Sequence, residues 1–79
     1  MLHFRCVINI KNDEAIKAFG KRIREIRLSQ KLSQEELANL AEIPLSQVGR
    51  VERGEGNPTL STIFNLSEAL KLPLSDLFK

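Results

Sequence analysis

The sequence contains no tryptophan or tyrosine, and only one cysteine and one histidine. Cys6 has no second thiol to pair with, so an internal disulfide is excluded. A zinc module needs several Cys or His ligands at set spacings, which one of each cannot supply, and neither a metal nor another cofactor is expected. No apolar run approaches the roughly 20 residues that cross a bilayer. The opening stretch, Met1 to Ile10, is interrupted by His3, Arg5 and Asn9 and lacks both a charged lead-in and a small-residue cleavage site, so no secretory signal is read there. A lone thiol suits a reducing cytoplasm. A nucleophile elbow, a metal-ligand spacing and a phosphate-cradling glycine loop are all missing, and His3 has no evident partner, so catalysis is not expected.

What is present points to one small helical domain. The 79 residues are 42% hydrophobic, enough for a compact core. The net charge of +2 is modest but uneven. Between Lys17 and Lys31, the basic residues Lys17, Lys21, Arg22, Arg24, Arg27 and Lys31 face a single acid, Glu25. That stretch suits either a solvated helix face or a phosphate-facing surface, and charge does not decide between them.

Ile16, Phe19, Ile23 and Ile26 recur at steps of three and four, one face of a first helix, with Asn12 or Asp13 as its cap. The second helix has the sharpest start. Ser33-Gln34-Glu35-Glu36 fits the capping box, with Leu32 and Leu37 placed for the hydrophobic staple. Leu37, Ala38 and Ala41 form its inward stripe. Pro44 resists continuing that helix but suits the start of another. The third helix is predicted from about Leu45 to Arg53, with Val48 and Val51 inward and Gly54 as the left-handed residue that ends it. Residues 54–58 are a loop by composition. Thr59 caps a fourth helix with Leu60, Ile63, Ser67 and Leu70 on its face, widened by Phe64 and Leu66. Pro73 stops the exit, and Leu74 to Phe78 forms one short turn, with Leu77 and Phe78 packing back on the core.

Residues 2–10 read differently. Leu2, Phe4, Cys6, Ile8 and Ile10 alternate with other residues, which is a strand period. A lone strand leaves its backbone unpaired, and the chain offers no second one. Residues 1–12 are therefore read as an extension that admits a short β-strand, and residues 13–79 as the domain.

Two short helices with a tight connection, Ser33 to Ala41 and Pro44 to Arg53, have the spacing of a helix-turn-helix unit. In such a unit the second helix enters the major groove, about 12 Å wide, and presents its N-terminal side chains to base edges.

From Phe19 to Phe78 the sequence resembles the lambda-repressor-like (XRE) helix-turn-helix family. The resemblance is carried by Ile23-Arg24-Glu25-Ile26-Arg27, Leu32-Ser33-Gln34-Glu35-Glu36-Leu37-Ala38, Val51-Glu52-Arg53-Gly54, Asn57-Pro58-Thr59-Leu60 and Glu68-Ala69-Leu70, in order and at the family's spacing. It implies an all-α, five-helix bundle that binds double-stranded DNA, regulates transcription in a prokaryotic or phage setting and works as a homodimer. It also implies that Leu45, Ser46, Gln47, Gly49 and Arg50 face the groove. Arg50 is the foremost base reader, because a guanidinium fork can take both O6 and N7 of guanine. Gln34, Arg53 and Asn57 are assigned to phosphates; for Gln34, a helix N-terminus and an amide donor both favour an anion. Arg27 and Glu52 match a structural pair that ties the first helix to the third.

The sequence also departs from the family. Pro44 stands where a hydroxyl residue is usual, and Glu55 and Gly56 stand where basic residues are common. Glu55 repels a nearby phosphate, and Gly49 brings no side chain to the groove, so DNA shape is expected to carry more of the recognition. A second reading is a protein-interaction module, with a toxin or the transcription machinery as partner. The dimer surface is expected either at Leu74, Leu77 and Phe78 or in pairing of residues 2–10 between chains.

Overall fold

The computed structural model describes the backbone of residues 2–78 and the side chains of residues 13–78. Five helices follow one another: α1 (Leu2–Ser29), α2 (Gln34–Ala41), α3 (Leu45–Glu52), α4 (Leu60–Leu70) and α5 (Leu74–Leu77). The described residues contain no strand.

Residues 2–10 therefore correct the expectation of a strand, since their backbone continues α1 without a break at Asn12 or Asp13. With no partner strand, a β-segment leaves its amides unpaired. A helix already nucleated by the residues after it gains one internal hydrogen bond for each residue added. The interchain strand pairing considered for a dimer is not compatible with this backbone. Cys6 and His3 lie outside the described side chains.

The core sits where α1 and α2 pack on α3, α4 packs on α2, and α5 closes against α1 and α4. Phe19, Ile23 and Ile26 of α1 meet Leu37, Ala38 and Ala41 of α2, Val48 and Val51 of α3, Leu66 and Leu70 of α4, and Leu77 of α5. Complete burial of a Leu or Ile contributes about 1.5–3 kcal/mol each, so the bundle rests on few side chains. Gly20 sets the approach of α1 to α3. A β-carbon at that position would run into the carbonyl oxygen of Val51, so the two backbones pass at a distance only glycine permits.

Helix boundaries are set by local chemistry. Ser33 Oγ accepts from the Glu36 amide at 3.0 Å, and Glu36 Oε1 accepts from the Ser33 amide at 2.8 Å, closing the capping box. Thr59 Oγ1 caps α4 through the Thr62 amide. Four helices end in the same wrapped turn, with left-handed residues at Lys31, Glu42, Gly54 and Lys71. After α3, for example, the Glu55 amide donates to the Arg50 carbonyl at 2.9 Å and the Gly54 amide to the Val51 carbonyl at 3.0 Å.

Two details of the fourth and fifth helices depart from expectation. The inner face of α4 is Thr62, Leu66, Ser67 and Leu70, while Leu60 and Phe64 point outward. Thr62 can turn inward because its hydroxyl has partners there, and Ser67 because its hydroxyl donates to the Leu72 carbonyl. Leu77, considered for a dimer surface, is fully buried in the core. Phe78 lies against Phe19 with ring centroids 5.1 Å apart and keeps its other face exposed.

Candidate nucleic-acid interface

The α2–α3 connection is short because both of its ends are closed efficiently. Glu42 adopts the left-handed conformation at φ 58°. The Ile43 amide then returns to the Ala38 carbonyl at 3.1 Å. Pro44 follows in extended conformation (φ −61°, ψ 145°) and lets α3 begin at once. Its ring supplies no side-chain cap, so the first α3 amides depend on the backbone: Pro44 O accepts from Gln47 at 3.0 Å. The result is a pair of eight-residue helices held at a tight corner.

Two faces of α3 have opposite roles. Val48 and Val51 are buried in the core, which fixes the helix on α1 and α2, and Gly49 is buried on the other side by the Arg53 side chain. Leu45, Ser46, Arg50 and, just past the helix end, Arg53 are exposed. Gln47 is half-buried, and its Nε2 donates to Thr62 Oγ1 at 2.9 Å, tying the start of α3 to α4. Gly49 lies beneath the Arg53 guanidinium, whose Nη1 would stand 2.9 Å from a β-carbon there. Asn57 is exposed in the following loop. Ser46, Gln47, Arg50, Glu55, Gly56 and Asn57 line an open cleft of about 290 Å³ between α3 and that loop.

A charge network lies under this flank. Arg27 donates from Nε to Glu52 Oε2 at 2.6 Å, from Nη2 to Glu52 Oε1 at 3.0 Å, and from Nη1 to the Leu32 carbonyl at 2.8 Å. Hydrogen bonding to Glu52 raises the Arg27 pKa above its ordinary value, while burial opposes the rise. Glu52 Oε1 also accepts from Gln34 Nε2 at 3.0 Å. One carboxylate thus joins the ends of α1, α2 and α3. The Gln34 amide has two hydrogens, so this bond leaves one for another acceptor. Further out, Arg53 pairs with Glu55, Nε to Oε2 at 3.1 Å. Arg53 donation and charge lower the Glu55 pKa from its ordinary value, with a smaller contribution from Arg50.

Sequence reasoning missed Thr62 and the Arg53–Glu55 pair. No helical spacing links Gln47 to Thr62, which are fifteen positions apart. Residues two apart do not face each other on a helix, and only the turn at Gly54 brings Arg53 and Glu55 together. Among the described residues no group of His, Cys, Asp and Glu could hold a metal ion, and no helix is long and apolar enough to cross a membrane.

A short helix laid against a second one, with its outward flank free and arginines at its end, defines the class: a helix-turn-helix protein. The helix-turn-helix family HTH_3 matches residues 23–77. The chain belongs to this family, the XRE or lambda-repressor-like DNA-binding regulators of transcription. It is 35% identical over 63 residues to the HTH-type transcriptional repressor RghR of Bacillus subtilis (strain 168), covering 78% of this chain and 47% of the repressor. It is 38% identical over 60 residues to Control protein C.BamHI of Bacillus amyloliquefaciens, covering 75% of this chain and 74% of that protein. The crystal structure of the restriction-modification controller protein C.AhdI from Aeromonas hydrophila superposes with a TM-score of 0.78 at 44% identity, covering 80% of this chain and 96% of the controller. The chain thus spans about half the length of RghR and most of the two controllers.

Proposed function

We propose that this regulator works in the cytoplasm as a homodimer that lays α3 of each copy in the major groove of a two-fold DNA site. The carrying observation is the split of α3: Val48 and Val51 anchor it in the core, while Leu45, Ser46 and Arg50 face solvent on one flank. On this reading Arg50 takes the O6 and N7 of a guanine, Ser46 offers a donor or acceptor, and Leu45 meets a thymine methyl. Gln47, tethered to Thr62, sits at the edge of the groove. Gly49 brings no side chain to the bases and leaves room for the Arg53 guanidinium.

Phosphate contacts position the helix. Gln34, oriented by Glu52, offers its second amide hydrogen; Arg53 is exposed just past α3, and Asn57 lines the cleft. One α3 reads only about four base pairs, too few for a unique site, so two half-sites about one helical turn apart are needed. Leu60, 76% exposed, and Phe64 stand one turn apart on the outer face of α4, and Leu74 and Phe78 are exposed near the C-terminus. These apolar side chains support self-association. Residues 13–79 are the DNA-binding unit.

Selection of bound duplexes from a random pool tests the proposal. It predicts an inverted repeat with guanine within each half-site. Failure to retain any duplex in dilute buffer, or retention without sequence enrichment, would overturn it.

A further inference from the structure

Both arginines on the outer flank lie against the loop that follows α3. Arg53 lies over Gly49, and Glu55 takes its fork at two points: Nε to Oε2 at 3.1 Å and Nη2 to Oε1 at 3.3 Å. Arg50 lies over Gly56, where a β-carbon would stand 3.1 Å from its Nη2. The absence of side chains at these two glycines makes room for both guanidinium groups. Glu55 is not on a free loop. Its amide is bonded to the Arg50 carbonyl at 2.9 Å, so the carboxylate is carried by the end of α3 itself. A carboxylate across a guanidinium fork presents the same paired oxygens as a phosphate.

We infer that Glu55 is an intramolecular stand-in for a DNA phosphate, holding Arg53 against α3 in the free protein and competing with any duplex for it. The inference rests on the DNA-binding reading above and adds a regulatory contact to it. A duplex reaches Arg53 only by displacing the carboxylate. The contact is with phosphate, so the competition lowers affinity for every sequence by the same factor. It leaves base preference to Ser46 and Arg50, and it keeps backbone contacts from holding the protein on unmatched DNA.

Simple repulsion between Glu55 and the DNA would also weaken binding, and a double-mutant cycle separates the two effects. Fluorescence anisotropy is measured at fixed salt for the wild type, Glu55→Gln, Arg53→Ala and the double variant. Each is tested on the selected duplex and on a scrambled one, with thermal melts confirming that all four fold. Exposed pairs are weak, so Glu55→Gln is expected to tighten binding to both duplexes by about two- to five-fold. The gain is expected to be at least halved when Arg53 is already alanine. Equal gains in the two backgrounds, or no gain in the wild type, would overturn the inference while leaving the DNA-binding reading intact. A wild type that binds neither duplex overturns both.

Discussion

Arg27 grips Glu52 through two parallel bonds, Nε to Oε2 at 2.6 Å and Nη2 to Oε1 at 3.0 Å, and so ties the last turn of α1 to the last turn of α3. The Glu52 side chain is only 3% exposed and that of Arg27 only 8%. A buried pair of this kind contributes little net stability by itself, because desolvation offsets much of the attraction. Its importance lies in orientation: the same Glu52 carboxylate holds Gln34 at the start of α2.

Removing one partner leaves the other charge buried and unpaired. Arg27→Ala or Glu52→Ala is expected to destabilise the fold by about 3–5 kcal/mol. Replacing both with apolar residues of similar length, Arg27→Met with Glu52→Met, is expected to recover much of that loss. Urea unfolding followed by circular dichroism measures both. Single variants within about 0.5 kcal/mol of the wild type would contradict the pairing.

Gly20 is the position where α1 tolerates no side chain. Gly20→Ala drives a β-carbon into the Val51 carbonyl oxygen, a backbone atom that cannot rotate away. The expected cost is about 1–3 kcal/mol, although alanine is the better helix former at an exposed site. A melting temperature at or above that of the wild type would contradict the close approach.

Lys31, Glu42 and Lys71 take left-handed conformations at φ 61°, 58° and 60°. Glycine adopts that region without the clash an L side chain meets, but it loses more freedom on folding. Each of Lys31→Gly, Glu42→Gly and Lys71→Gly is expected to raise stability by about 0.5 kcal/mol, the balance of those two effects. Thermal denaturation of the three variants checks the sign; a lowered melting temperature in all three would contradict the assigned conformations.

Glu55 provides the pH-dependent prediction. Arg53 lowers its pKa, so the pair's contribution is complete above the ordinary glutamate range and is lost as pH falls through the lowered value. Carboxyl-carbon NMR is expected to show the titration midpoint moving up toward the ordinary glutamate value in Arg53→Ala. An unmoved midpoint would show that the pair does not form in solution.

The elements most legible in the sequence are those fixed by neighbours in the chain. The capping box of Ser33 with Glu36, the cap at Thr59, and Gly54 at the end of α3 follow from capping chemistry that acts over three or four positions. The inward positions Ile23, Leu37, Val48 and Val51 follow from periodicity. What escaped depended on distant partners. Residues 2–10 have the alternation of a strand, yet the described residues offer no strand to pair with one, and the backbone extends α1 instead. Leu77 could be read as surface or core until α5 is seen packed against α1 and α4. Gly20 carries no local signal, because its constraint is the α3 backbone more than thirty positions away. At the interface, the outward position of Arg50 was expected from the family resemblance, and its side chain is exposed. The tether of Gln47 to Thr62 and the hold of Glu55 on Arg53 were not legible, because each depends on where a loop returns.

Methylation interference tests the central claim most directly, because guanine N7 lies in the major groove and adenine N3 in the minor groove. With the selected duplex, the account predicts that methylated guanine N7 blocks binding in two clusters about one helical turn apart, and that Arg50→Ala loses this sensitivity at one guanine per half-site. Interference confined to adenine N3, or a pattern identical in Arg50→Ala, would contradict the placement of α3.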